Sequence, residues 1–130
     1  MTMHATGTFA VKDWNEKAYS EIAGQPKLVR VEVVYTYQGD LAAEGKVVFQ
    51  MCYASNGIAY FIGFDEVTGR LGERAGSFVL QHVGTFREGA ITDNITVVPG
   101  AATGDLSGLV GGGICGGDGE ATYTLDYDLP

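Results

Sequence analysis

The chain has 130 residues, 20 of them glycine, and a formal net charge of −8 at pH 7. Its eight Lys and Arg residues are scattered, which argues against nucleic acid as a partner. No apolar run approaches the ~20 residues of a membrane-spanning helix, and residues 1–10 lack the features of a signal peptide. We therefore expect one domain over residues 1–130, cytoplasmic and without a membrane partner, whose ligand is neutral or whose cavity is shielded from the surface charge.

Cys52 and Cys115 are the only cysteines. In a reducing cytoplasm we expect two free thiols, with Cys52 in a strand and Cys115 in a glycine-rich loop. A disulfide or a metal-binding pair is the alternative. His4, His82 and the two cysteines show no metal-ligand spacing, so we predict no metal site.

The first half of the chain alternates apolar and polar residues, which is typical of strands. We predict a strand at Thr6–Trp14 and then a loop at Asn15–Pro26 with a short helical turn around Lys17–Ile22. Strands follow at Lys27–Gln38 and Gly45–Ala54. Their inward faces carry Val29, Val31, Val33, Tyr35 and Tyr37, and then Val47, Phe49, Met51 and Tyr53.

Asn56-Gly57 is a strong signal for a two-residue hairpin turn, because both residues tolerate positive φ angles. With these two at its centre, Tyr53 faces Tyr60, and further along Phe49 faces Phe64. This register turns Glu66 inward and Asp65 outward, and a one-residue slip would exchange them.

Thr68–Ala75 is predicted to connect this hairpin to a long strand at Gly76–Phe86. One face of that strand carries Phe78, Leu80, His82, Gly84 and Phe86. A turn at Glu88-Gly89 leads into Ala90–Val98, with Gly84 across from Asp93 and His82 across from Ile95. Asp93 then lies diagonal to His82, within hydrogen-bonding reach.

Pro99–Asp118 is rich in glycine, and its apolar piece Leu106–Leu109 is predicted to form a turn whose leucines plug one end of the fold. A weak strand is possible in this segment. Glu120–Asp128 alternates again, with Ala121, Tyr123, Leu125 and Tyr127 inward. Seven strong strands and one weak one, linked mostly by hairpins, predict an all-β fold: a single closed antiparallel barrel of about eight strands.

Several pieces carry a family resemblance: Gly76–Phe86, Val97–Gly100 with Thr103–Leu109, Tyr123–Tyr127, Gly7-Thr8-Phe9, and Trp14. Together they resemble a family of small bacterial proteins catalogued only as a domain of unknown function, whose fold is similar to the eight-stranded barrel of allene oxide cyclases. Related barrels include enzymes that close rings, so the resemblance implies a cyclase or isomerase. Ile95, where an aromatic residue is expected, and the divergent Gly112–Cys115 imply a reshaped cavity.

His82, Asp93 and Glu66 are the candidate catalytic residues. A carboxylate beside a buried imidazole fixes its tautomer or its proton, as general acid/base chemistry requires, and burial would raise the pKa of Glu66. The alternative is that His82 and Asp93 only satisfy each other and tie two strands, and that Glu66 is a rim carboxylate in water. Candidate ligand-binding residues are Tyr35, Phe49, Met51, Tyr53, Tyr60, Phe64, Phe78, Ile95 and Tyr123.

Two functions fit these observations. In the first, a small apolar molecule enters the barrel, and the acid/base residues promote a cofactor-free cyclisation or isomerisation. In the second, the barrel is filled and non-catalytic, and it forms a homo-oligomer through strand faces that carry Val48, Val79, Val83 and Val98. A homo-oligomer is compatible with both functions.

Overall fold

The computed structural model describes residues 2–118 and 121–130 of the chain. The predicted start of the last strand, Glu120, lies outside the described residues. The strands are β1 Met3–Ser20, β2 Lys27–Gly39, β3 Leu41–Tyr53, β4 Ala59–Leu71, β5 Arg74–Arg87, β6 Ala90–Val97, β7 Thr103–Gly104, β8 Val110–Asp118 and β9 Thr122–Asp128.

Eight of these strands form a closed antiparallel barrel, as the sequence predicts. The hydrogen-bonded order is β4-β3-β2-β1-β9-β8-β6-β5, and β5 pairs back onto β4. The two-residue strand β7 adds to the end of β5 at Gly76 and Ser77. Strands β2, β3 and β4 are paired on both sides along most of their length, whereas β1 overlaps β2 and β9 together only at Gly7 and Thr8. Closure of the sheet removes edges that would otherwise be exposed along β2, β3 and β4.

The first strand is longer than predicted because the barrel is sheared. If directly paired residues are followed from strand to strand around the barrel, the path leaves β1 at Ser20 and returns to β1 at Thr8. β1 must therefore be long enough to contain both residues. The path runs Ser20, Leu28, Cys52, Tyr60, Thr85, Thr92, Gly116, Thr122 and Thr8. The predicted loop and helical turn at residues 15–26 are therefore wrong as far as Ser20. Residues 15–20 pair with β2 and extend the wall at one end of the barrel.

The hairpin between β3 and β4 differs from the predicted two-residue turn. Ala54 and Ile58 close a three-residue loop, in which the Gly57 amide donates to the Ala54 carbonyl and Gly57 has a φ of 83°. Tyr53 consequently pairs with Ala59 instead of Tyr60. This one-residue shift reverses which face each β4 side chain occupies.

The hairpin between β5 and β6 confirms the predicted register. Glu88 and Gly89 have positive φ angles of 50° and 82°, as a tight two-residue turn requires. His82 lies across from Ile95, and Gly84 lies across from Asp93. The predicted connection at Thr68–Ala75 is shorter than expected, since β4 continues to Leu71 and β5 begins at Arg74.

The glycine-rich segment supplies the eighth strand of the barrel, β8. Leu106 and Leu109 are fully buried, which confirms that this turn plugs one end. Cys115 lies in β8, so its predicted loop position is wrong, and its side chain is buried. Both cysteines are free thiols.

The barrel interior is filled at the plugged end and contains a cavity towards the other end. Around the leucine plug, the core includes Phe78, Leu80, Leu125 and Tyr127. At the opposite end a second cluster of Val29, Val31, Val33, Val47, Phe49, Met51 and Ala59 packs below the barrel opening. The candidate site lies between these two regions.

Candidate functional site

His82 lies on β5 between Gly63 of β4 and Ile95 of β6, and its imidazole is buried in the barrel interior. Asp65 is two residues from Gly63 on β4, and Asp93 is two residues from Ile95 on β6. Each carboxylate is therefore diagonal to the imidazole. Both aspartates are buried as well. Three neighbouring strands thus place one histidine between two carboxylates, which we call the Asp–His–Asp cluster.

Both nitrogens of His82 are engaged. Nδ1 lies 2.5 Å from Oδ2 of Asp93, and Nε2 lies 2.9 Å from Oδ2 of Asp65. The same Asp65 oxygen accepts a hydrogen bond from the Tyr37 hydroxyl at 2.5 Å. An imidazole that donates from both nitrogens is an imidazolium, so this geometry fits the charged form of His82.

The charges of the cluster support that protonation state. Burial by itself lowers the pKa of His82, but hydrogen bonds to Asp65 and Asp93 and the charges of both carboxylates raise it to about 9. Burial raises the pKa of Asp93, and the imidazolium opposes that shift only in part. Burial and the charge of Asp65 also raise the pKa of Tyr37, so its hydroxyl remains a donor.

The cluster has one positive charge for two carboxylates. Its ion pairs are those of His82 with Asp65 and Asp93, and across the described residues neither carboxylate is paired with a Lys or Arg. Oδ1 of each aspartate is buried and makes no hydrogen bond of good geometry within that part of the chain, although the Val83 amide is near enough to the Asp93 carboxylate to lower its pKa in part. When both carboxylates are ionised, one negative charge of the cluster is not neutralised, which is costly in a low-dielectric interior. One more proton or one more positive charge would neutralise it.

Two positions beside the aspartates, Gly84 and Gly45, have no room for a side chain. A Cβ on Gly84 would lie 2.6 Å from the Phe61 ring and 2.9 Å from Cα of Asp93. A Cβ on Gly45 would collide with the Asp65 carboxylate and lie 2.9 Å from the Tyr37 ring. Both positions require glycine because neighbouring groups occupy the space of a side chain.

Beside the cluster, the open end of the barrel contains an apolar cavity of about 280 Å³, the mouth cavity. It is lined by Phe9, Val11, Trp14, Tyr35, Phe49, Met51, Tyr53, Phe61, Phe86, Ile91 and Asp93. Asp93 is the one charged residue among these. The rings of Tyr35 and Phe49 lie 6.1 and 5.5 Å from the imidazole, between His82 and the cavity. Asp93 is thus the member of the cluster that borders the cavity.

The structure places two of the three candidate catalytic residues together. His82 and Asp93 form the expected buried pair, and their catalytic roles stay predictions. The predicted inward orientation of Glu66 is wrong, since its side chain is exposed on the outer face. The shift in the β3–β4 hairpin puts Asp65 in the interior position instead.

The candidate ligand-binding residues divide into three groups. Tyr35, Phe49, Met51 and Tyr53 line the mouth cavity. Phe78, Ile95 and Tyr123 face the interior but are packed in the filled half of the barrel, where the Tyr123 hydroxyl accepts a hydrogen bond from the Leu41 amide. The interior positions predicted for Tyr60 and Phe64 are wrong, because the hairpin shift turns both outward, with exposures of 43% and 60%.

Asp65 is not among the site residues that the sequence predicts. Six residues that line the mouth cavity are also absent from the predicted ligand-binding set: Phe9, Val11, Trp14, Phe61, Phe86 and Ile91. A three-residue loop at Ser55–Gly57 would have placed Asp65 correctly. The inward position of Trp14 is not predicted because a β-bulge between Val11 and Asp13 shifts the alternation, so that Trp14 pairs with the inward-facing Val33. Such a bulge leaves no clear signal in the sequence.

His82, Asp93 and Cys115 have potential ligand atoms that all lie within 4.8 Å of one another. Both nitrogens of His82 are already engaged by carboxylates, and burial raises the pKa of the Cys115 thiol far above its ordinary value. A metal would need the thiolate and a freed imidazole nitrogen. The expectation of no metal and no cofactor stays a prediction.

The fold and this interior define a closed eight-stranded antiparallel barrel with a buried Asp–His–Asp cluster. The chain belongs to the family described as "Protein of unknown function (DUF3224)", whose profile matches residues 5–127. This confirms the predicted resemblance to a family of unknown function. Within the described residues, no helix has the length and apolar character needed to cross a membrane.

A solved structure shares the fold. It is a protein of unknown function of the DUF3224 family from Shewanella oneidensis MR-1, 28% identical, and the alignment covers 100% of this chain and 99% of that one, with a TM-score of 0.85. A search of curated proteins finds no match.

Proposed function

We propose that the protein binds a small apolar molecule in the mouth cavity and that Asp93 exchanges a proton with it. The observation that carries this proposal is the position of Asp93 at the boundary of an apolar cavity, as a buried carboxylate whose Oδ1 has no hydrogen-bond partner among the described residues. A ligand pocket of this kind is mostly apolar with a few placed polar groups. The carboxylate is the group in this cavity best suited to proton transfer.

The rest of the cluster supports Asp93 in that role. His82 holds one Asp93 oxygen, and Asp65 fixes His82 from the other side. Burial raises the pKa of Asp93, which brings a carboxylate closer to the working range of a general acid or base. A cofactor-free isomerisation or cyclisation needs a folded substrate and one proton donor or acceptor, and the cavity walls and Asp93 would supply these.

The test has a binding part and a catalytic part. Native mass spectrometry of protein purified from its host should reveal a co-purified apolar molecule, and an apolar dye should bind at one site per chain. With the molecule identified, Asp93→Asn should lower turnover by about 100-fold or more, the usual contribution of general acid/base catalysis. Glu66→Gln removes a carboxylate from the outer face and is the matched control. If no molecule co-purifies with the protein and the apolar dye does not bind, the proposal is wrong.

A second candidate function is association through the outer barrel wall. Val48 pairs with Phe64 and Ile62 with Val83 on that wall, and all four side chains are at least 40% exposed. Exposed apolar patches of this kind mark interaction sites. Light scattering should then show a homo-oligomer that Phe64→Ser dissociates, whereas a monomeric wild-type protein would contradict this second function.

The free thiols suit a reducing cytoplasm, which is where we propose that the protein works.

A further inference from the structure

We infer that the ligand of the mouth cavity is an organic cation, an ammonium group on a small apolar skeleton, whose charged end pairs with Asp93. This inference rests on the proposed function and names the chemical class of its ligand. The cavity walls, the charge of the Asp–His–Asp cluster and the distribution of basic residues each support it.

The walls of the cavity are mainly aromatic rings. The faces of such rings attract cations, and the attraction is stronger when water is excluded. The rings belong to Phe9, Trp14, Tyr35, Phe49, Tyr53, Phe61 and Phe86, contributed by five strands. An apolar ligand needs fewer rings, since aliphatic walls would serve it equally well. The aromatic composition combined with a carboxylate is the combination that suits an ammonium ion.

The charge of the cluster favours the same ligand. Asp65 and Asp93 share one imidazolium, so the ionised cluster has an excess negative charge that the described residues do not neutralise. Oδ1 of Asp93 is a buried acceptor without a donor in the described part of the chain. An ammonium supplies both the missing positive charge and the missing N–H donor, and a charge-assisted hydrogen bond is about twice as strong as a neutral one.

The described residues of this cavity offer no positive charge to an anionic ligand. Among the described residues that line it, none is basic. Lys27 lies near the opening, but its Nζ is 5.6 Å from the centre of the Tyr53 ring and 3.9 Å from a Glu16 oxygen. The Tyr53 hydroxyl also donates to Glu16, at 2.8 Å, so the rim contains a second carboxylate. With a net charge of −8, the whole protein attracts cations from solution.

The cavity limits the size of the ligand. Its volume of about 280 Å³ lies near the lower end of small-molecule pockets, which suits one aromatic ring with a short alkylammonium arm. In such a complex the proton that Asp93 exchanges comes from the ammonium group of the ligand. The ammonium N–H bond breaks, an O–H bond forms on Asp93, and a neutral amine faces a neutral carboxylic acid.

Calorimetric binding of four matched probes tests the inference. Phenethylamine, phenethyl alcohol, phenylacetone and hydrocinnamate have similar skeletons and end in an ammonium, a hydroxyl, a ketone and a carboxylate. At neutral pH we expect phenethylamine to bind about tenfold or more tightly than the alcohol and the ketone, and hydrocinnamate not to bind. Asp93→Asn should abolish the preference for the amine, and Glu66→Gln should retain it.

The outcomes separate this inference from the proposed function. Equal or tighter binding of the alcohol or the ketone would overturn the inference and leave an apolar-ligand site in place. If none of the four probes binds, the inference also fails, and binding of the apolar dye then decides whether the proposed function fails with it. The order of affinities of the four probes for the wild-type protein tests the inference by itself. The test therefore remains valid if Asp93→Asn does not fold.

Discussion

His82 and Asp65 lie on neighbouring strands with Nε2 and Oδ2 2.9 Å apart, and the Tyr37 hydroxyl donates to the same carboxylate oxygen. This contact fixes the ring of His82, so that its Nδ1 points at Asp93 on the next strand. Asp93 in turn borders the mouth cavity. A residue that the sequence analysis assigned to the outer surface is therefore the one that orients the candidate site.

Asp65 and Glu66 offer a matched comparison, because the same chemical change is made on opposite faces of β4. Asp65→Asn removes the charge between His82 and Tyr37, and we expect it to lower the free energy of unfolding by about 3–5 kcal/mol, as when a buried ion pair is broken. Glu66→Gln is exposed and should change it by less than about 0.5 kcal/mol. Urea unfolding of both variants measures the difference, and equal effects would show that the cluster does not stabilise the fold.

The pKa of His82 can be measured by NMR, since the chain has only two histidines. We expect the His82 ring to titrate near pH 9, because two carboxylates stabilise the imidazolium. Asp93→Asn removes one of these carboxylates and should lower the pKa. His4 is exposed and provides the second ring signal as a reference in every sample. A wild-type midpoint at or below about 6.5, the ordinary value, would contradict the imidazolium assignment.

The stability of the protein should fall as the pH rises above neutrality. The pKa of His82 is raised from 6.5 to about 9 in the folded state, so its contribution is fully present below 6.5 and is lost as the pH rises through 9. Between about pH 7 and pH 9.5 this amounts to about 2 kcal/mol of unfolding free energy. Urea unfolding across that range should show the decline, and His82→Gln should flatten it. A flat wild-type profile would be inconsistent with the raised pKa.

Trp14 is the single tryptophan of the chain, and it lines the mouth cavity while 46% exposed. A ligand that fills the cavity would displace water from its indole, so we expect a shift of the emission to shorter wavelength on addition of phenethylamine. Trp14→Phe keeps an aromatic ring in the cavity wall and removes the indole emission. Any change in emission that this variant still shows comes from elsewhere in the protein. Calorimetric binding without any change in Trp14 emission would place the ligand outside the mouth cavity.

Alternation along the chain was sufficient to predict much of the barrel. The inward faces of β2, β3, β5 and β9 are those that the sequence predicts, because a strand with one buried face requires apolar residues at every second position. The pairing of His82 with Asp93 also followed from the sequence, since a two-residue turn at Glu88-Gly89 leaves only one register.

Only the tertiary structure determined the rest of the site. Asp65 and Glu66 are adjacent carboxylates, and one additional residue in the hairpin loop decides which of them is buried. The placement of Trp14 depends on a bulge in β1, and the length of β1 depends on the shear of the closed barrel. Loop length, bulges and shear are properties of strand pairing over the whole sheet, whereas the residue pattern determines only the alternation within each strand.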